Sequence, residues 1–227
     1  MFLNCANYTL HVSLVKHIKK IEPGDYTLYI SLLYNIFMVE KSRIPPAQRQ
    51  VQDFPVLHIG DIPKFDARTW DFQVEGLITK SIRLNWEEFQ KLPISLTISD
   101  FHCVTGWTRL DNKWEGVLFR DVTRLCNPKP EAQAVSILCD GEYYTSLPLS
   151  DLMQDDVILA YRWNGEYLES AHGWPLRLVV PPKYAYKSAK WVRKFRFTKT
   201  QEIGYWEARG YSNTADPWTE DRFGLQT

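Results

Sequence analysis

No two cysteines of this chain form a Cys-x-x-Cys pair. The four, Cys5, Cys103, Cys126 and Cys139, are too scattered for a zinc ribbon or a thioredoxin-like site and too few for a disulfide scaffold. They read as reduced thiols of a cytoplasmic protein. Net charge is also missing: 27 basic side chains balance 27 acidic ones. The chain as a whole therefore has no pull toward nucleic acid or an acidic membrane surface. Nor is there a long apolar run. Residues 26–39 (YTLYISLLYNIFMV) are the strongest candidate, but fourteen residues are too few to span a membrane. Residues 1–37 lack an arginine pair and a small-residue cleavage site, so no secretory or twin-arginine signal is evident. Internal repeats and low-complexity segments are absent.

What is present is a chain of 227 residues, long enough to bury a real core. Nine Trp, twelve Tyr and eleven Phe suit a deep, stiff pocket as well as an ordinary interior. The chain changes character at Met38, which is expected to be the natural start. Residues 1–37 then form an atypical, poorly ordered leader, and residues 38–227 a single domain.

Pro45, Pro46 and Pro55 predict an extended arm over residues 43–64. Alternation predicts strands over residues 69–77, 81–84 and 94–101. Asn85 caps a short helix over residues 85–92, with Pro93 as its stop. A helix is expected over residues 118–126, strands over 134–138 and 143–147, and a short helix over 149–153. Further strands follow over 157–163, 176–180 and 190–198, with turns at Asp140-Gly141 and Asn164-Gly165. Mostly strands with short helices between them make the fold α+β, mixed and mostly β.

Cys103 ends the strand over residues 94–101, where the chain turns. A thiol there could point into a cleft from a stiff support, and thiolates suit soft or high-valent metals. A lone cysteine is more often a small buried hydrophobe. Three other clusters carry chemistry. His172, Arg177, Lys183, Lys187 and Lys190, with Ser188 among them, lie on proline-stiffened segments that suit a phosphate, although a solvated basic loop is the commoner fate of such a run. Arg209 and Tyr211 sit two residues apart, as a surface turn also would have them. His58 and Gly60 lie in the arm, where a lone histidine usually packs or faces solvent.

Together these segments resemble one family, the molybdopterin-binding oxidoreductases of the sulfite oxidase type. The resemblance is carried by residues 54–63 (FPVLHIGDIP), 101–117 (FHCVTGWTRLDNKWEGV), 158–165 (ILAYRWNG), 172–191 (HGWPLRLVVPPKYAYKSAKW) and 206–211, in order and spacing. It implies a molybdenum–molybdopterin cofactor, with Cys103 as the thiolate ligand of the metal. It further implies His172 and Arg177 on the pterin phosphate side, and Ser188 and Lys190 in the loop that closes over it. His58, Gly60, Cys139 and Asp140 fall where other segments meet the cofactor. Tyr211 corresponds to the active-site tyrosine, and Arg209 could neutralise charge nearby.

The implied activity is two-electron oxygen-atom transfer on a small sulfur-type or similar substrate. Two departures stand out. Val104-Thr105-Gly106-Trp107-Thr108 replaces an arginine-rich stretch, and Leu57 replaces a substrate-binding arginine, which weakens a case for sulfite. The pattern after the cysteine looks more like the catalytic subunit of protein-methionine-sulfoxide reductase, an exported enzyme. No haem domain and no immunoglobulin-like dimerisation domain is visible, so electrons are expected to pass through a separate redox partner or carrier. Two other readings compete: a cofactor-binding protein without turnover, and a cysteine-nucleophile hydrolase. The second is weak because His102 and Cys103 face opposite sides of a strand.

Overall fold

Two sheets share the strands of this protein, and the site lies where segments between their strands converge. The computed structural model describes residues 43–224; the leader expected over residues 1–37 and the proposed start at Met38 lie outside the described residues. In the first sheet β4 (Ser95–Cys103) forms an antiparallel hairpin with β5 (Trp107–Leu118). β5 pairs antiparallel with β8 (Ile158–Trp163), which carries β9 (Glu166–Tyr167) and β10 (Arg177–Val179). The short β1 (Arg49–Gln50) lies parallel to the start of β5, so the arm enters the fold beside the hairpin turn.

The second sheet runs β3 (Ile82–Asn85), β2 (Asp71–Gly76), β11 (Val192–Thr198), β6 (Ala134–Cys139), β7 (Tyr144–Pro148). Its parallel pair, β2 with β11, joins segments far apart in the chain. In β11 Phe195 and Phe197 lie two residues apart on one face and are buried, as a period of two demands. Phe195 meets Phe72 and Phe119 at ring-centroid distances of 5.1 and 5.3 Å. These contacts tie α2 (Phe119–Cys126) onto the sheet.

The helix α1 (Trp86–Gln90) forms for the reason read in the sequence. The Asn85 side chain accepts from the Glu88 amide at 2.9 Å, and the Glu88 carboxylate accepts from the Asn85 amide at 2.9 Å. Such a cap stabilises a helix start by about 1 kcal/mol, and here it turns Trp86 and Phe89 into the core. A third helix, α3 (Leu149–Leu152), follows β7 directly.

β5 is the main addition to the sequence reading, which had no strand over residues 107–113. Arg109, Asp111, Asn112 and Lys113 break the apolar alternation there, and Asp111 takes a left-handed φ of 55°. Asn112 repairs the interruption. It is fully buried, donates to the Ser99 and Arg109 carbonyls, and accepts from the Arg109 guanidinium and the Trp163 indole. Further along β5, Gly116 allows the backbone of β8 to approach: a Cβ there would lie 2.0 Å from the Leu159 carbonyl oxygen. No described helix is long and apolar enough to cross a membrane.

Candidate active site

Cys103 is the last residue of β4, and its side chain is only 5 % exposed. The turn that follows is closed by the Gly106 amide donating to the Cys103 carbonyl at 3.0 Å. Gln48, from the arm, donates to the same carbonyl at 3.0 Å. The Thr105 hydroxyl lies 3.2 Å from Sγ. Burial raises the Cys103 thiol above its ordinary pKa, and the Thr105 contacts oppose that shift.

Cys103 lines a cavity of about 720 Å³. His58, Gly60, Asp140 and Tyr211 line it too, and so do His172, Arg177, Ser188 and Lys190. Nine residues read from the sequence therefore converge on one cavity, drawn from segments spread over residues 58–211. Two that the resemblance implies do not. Cys139 is not among the lining residues, and burial pushes its thiol up. Arg209 is exposed; its guanidinium donates to the Tyr205 carbonyl at 2.7 Å and stacks 3.5 Å from the Tyr205 ring centre. Its own carbonyl-bound geometry thus turns it away from the cavity, because the preceding turn offers it an aromatic face and an acceptor.

One end of the cavity is cationic. Arg177, 4 % exposed, donates to the carbonyls of His172 (3.0 Å) and Ser188 (3.4 Å). Its Nε–H is buried and has no partner. Burial pushes its pKa down to about 9. Lys190 donates to the Ala171 carbonyl at 2.7 Å, and burial, helped by the Arg177 charge, pushes it down to about 7. Two desolvated cations with an unfilled donor are the arrangement an anion would relieve.

Gly173 lets them come together. It has a φ of 116°, and a Cβ there would lie 3.0 Å from the Arg177 Cβ and 3.2 Å from the Lys190 Cβ. His172 holds the arm: its Nε2 lies 3.0 Å from the Phe54 carbonyl, and its ring stacks on Phe54 at 4.7 Å. Phe54 also offers its face to Arg177 at 5.3 Å. Sequence reasoning assigned no role to Phe54, which a lone aromatic in an irregular arm does not announce. His58 is exposed at the rim, hydrogen-bonding distance from the Gly60 carbonyl (3.0 Å) and edge-on to Trp191.

Another part of the wall is aromatic, with Asp140 and Glu142 near Tyr143 in the chain. Tyr211 packs on Tyr186, Trp206 and Phe223 at 5.3–5.5 Å. Tyr143 and Tyr186, also unassigned from sequence, line the wall; burial raises both phenols, so both stay protonated. Next to Cys103 in the chain, Val104, Thr105 and Trp107 also line the cavity.

A cavity with one described thiol, two desolvated cations and a wall of tyrosines defines a class, and sequence comparison identifies it. The oxidoreductase molybdopterin binding domain matches residues 59–206, and the chain belongs to that family, as an enzyme of the sulfite oxidase type whose cofactor is Mo-molybdopterin. Among its relatives, the uncharacterized oxidoreductase YuiH of Bacillus subtilis is 43 % identical over 185 residues, covering 81 % of this chain and 93 % of that one. The protein-methionine-sulfoxide reductase catalytic subunit MsrP of Campylobacter jejuni is 29 % identical over 161 residues, covering 63 % of this chain but 54 % of its own length. The sulfane dehydrogenase SoxCD of Paracoccus pantotrophus shares the fold, with a TM-score of 0.59 at 23 % identity over 64 % of this chain and 42 % of that one.

The residues present fit the cofactor. The unpartnered Arg177 Nε–H, beside Lys190, would suit the phosphate of the pterin, and Cys103 would offer a thiolate of the soft kind that molybdenum accepts.

Proposed function

We propose that this protein carries out two-electron oxygen-atom transfer on a small sulfur-type or similar substrate, with Cys103 as the protein ligand of molybdenum. The observation that carries the reading is a buried thiol, Cys103, alone of the described cysteines on the wall of a cavity that also holds the unpartnered Arg177 donor. When bound, the cofactor supplies a metal that cycles by two electrons, which matches the transfer of one oxygen atom.

The chain's own residues do the rest. Arg177 and Lys190 would hold the phosphate, and His172 fixes the arm through the Phe54 carbonyl. Phe54, Phe101 and Trp114 pack around the Arg177 guanidinium and keep water from it. Tyr211, whose ring packs on Tyr186 and Trp206 at the cavity wall, donates a hydrogen bond to the substrate oxygen.

The proposal includes a reduced, cytoplasmic setting, supported by Cys103, Cys126 and Cys139 all being free thiols. It also includes a separate redox partner. The test is elemental analysis of protein made in a host that synthesises the cofactor, together with Cys103→Ser. Near-stoichiometric molybdenum is expected in the parent, and a folded variant without oxygen-atom transfer. A fully active Cys103→Ser variant would end the ligand assignment.

A further inference from the structure

The turn after Cys103 is held from two directions. Gln48 fixes the Cys103 carbonyl from the arm. Arg222 fixes the next one, donating through Nη1 to the Val104 carbonyl at 2.7 Å. Arg222 lies beyond residues 59–206, the stretch that matches the family domain. It arrives on a strap that pairs with the segment carrying Tyr211. The Ser212 amide donates to the Arg222 carbonyl, the Gly224 amide donates to the Gly210 carbonyl, and Tyr211 and Phe223 form an antiparallel bridge.

Arg222 forms no ion pair among the described residues, while Glu220 and Arg222 both act on the Tyr184 phenol. Asp221 turns to the Ser212 hydroxyl, 2.5 Å away, and Glu220 is exposed. The guanidinium carbon lies 5.9 Å from the ring centre of the buried Tyr184, and no other cation stands in the stretch Val104-Thr105-Gly106-Trp107-Thr108.

We propose that Arg222 is a positioning residue of the metal site: it locks the turn after Cys103 and supplies the positive charge that this turn lacks. Because the same strap pairs with the Tyr211 segment, it also fixes the spacing between thiol and phenol. This inference rests on the reading of Cys103 as the metal ligand. Groups that orient a metal ligand typically change metal affinity 10–100-fold when removed, and a fixed positive charge near a metal favours its reduced state.

The experiment compares full-length holoenzyme as wild type, Arg222→Gln, Arg222→Lys and Cys103→Ser. The readouts are molybdenum content, the midpoint potential of the metal and the spectrum of its singly reduced form. In Arg222→Gln we expect about tenfold weaker metal retention and a potential shifted downward. Arg222→Lys restores the potential because it keeps the charge. Wild-type retention and potential in Arg222→Gln would overturn the inference, as would equal potential shifts in the Gln and Lys variants. If Arg222→Gln does not fold, Arg222→Lys decides: a wild-type potential supports the charge role and a protein equally unable to fold overturns it. A metal spectrum unchanged in Cys103→Ser removes the ligand reading and this inference with it. A spectrum changed there but not in Arg222→Gln removes only the role of Arg222.

Discussion

Lys187 and Glu207 form an ion pair whose side chains are 0 % and 1 % exposed. Lys187 also donates to the Ser146 carbonyl at 3.0 Å, and Glu207 accepts from Thr145 at 2.7 Å. The pair joins the loop of Tyr186 and Ser188 to the turn that leads into Tyr211. It links the phosphate end of the cavity to its aromatic end, without lining the cavity itself.

Removing one partner should therefore be costly. Glu207→Gln leaves a buried ammonium without its counter-charge, a loss of about 3–5 kcal/mol. Burial already holds Lys187 below the ordinary lysine range, with Glu207 pulling the other way. A cation whose folded pKa lies below its unfolded value costs stability at lower pH, and that cost disappears as pH rises toward the unfolded value of about 10.4. The deficit of Glu207→Gln should thus be large at pH 7 and shrink toward pH 10. Urea unfolding at both values checks this. A variant within about 1 kcal/mol of the parent at pH 7 would show the pair to be dispensable.

Lys190 makes the phosphate end sensitive to pH in cofactor-free protein. With its pKa pushed down to about 7, it is charged at pH 6 and mostly neutral at pH 8. Sulfate, a dianion throughout that range, serves as the probe. Its affinity should fall about tenfold between pH 6 and pH 8, one decade per pH unit above the pKa. Lys190→Arg should abolish the dependence. Calorimetric titration at the two pH values measures it, and a flat profile in the parent would contradict the assignment.

Gly173→Ala should damage the same end by a different route. The added methyl meets the Cβ atoms of Arg177 and Lys190, on a backbone with a φ of 116°. We expect a loss of about 1–3 kcal/mol in stability from strain and overpacking. Sulfate affinity should fall as the two cations are pushed apart. Stability and affinity both at parent values would mean that the cations tolerate wider spacing.

Much of this was legible in the sequence because local rules sufficed. Asn85 and Glu88 announced α1, and the apolar run over residues 94–101 announced the strand that delivers Cys103. The cationic end was readable as His172, Arg177 and Lys190 because charge on proline-stiffened segments is rare enough to notice. What stayed hidden depends on contacts between distant segments. β5 was missed because Asn112 becomes acceptable inside a strand only when Ser99, Arg109 and Trp163 supply its partners. Arg209, read as a neighbour of Tyr211, turns instead to Tyr205, a preference that spacing alone does not show. Lys187, read with Lys183 and Lys190 as part of a phosphate-suited run, is drawn inside by Glu207 instead, and Lys183 pairs with Asp151, so neither lines the cavity.

Two hydrogen bonds of the site each bridge 118 residues of chain: His172 to the Phe54 carbonyl, and Arg222 to the Val104 carbonyl. Contacts so remote are slow to form, because loop closure must precede any gain from them. The hairpin of β4 and β5 has no such need and is free to form early. Cys103 is thus displayed on its turn before the walls around it exist. The cavity takes shape only when the arm and the C-terminal strap have both returned to that turn, so the order of assembly runs from the thiol outward.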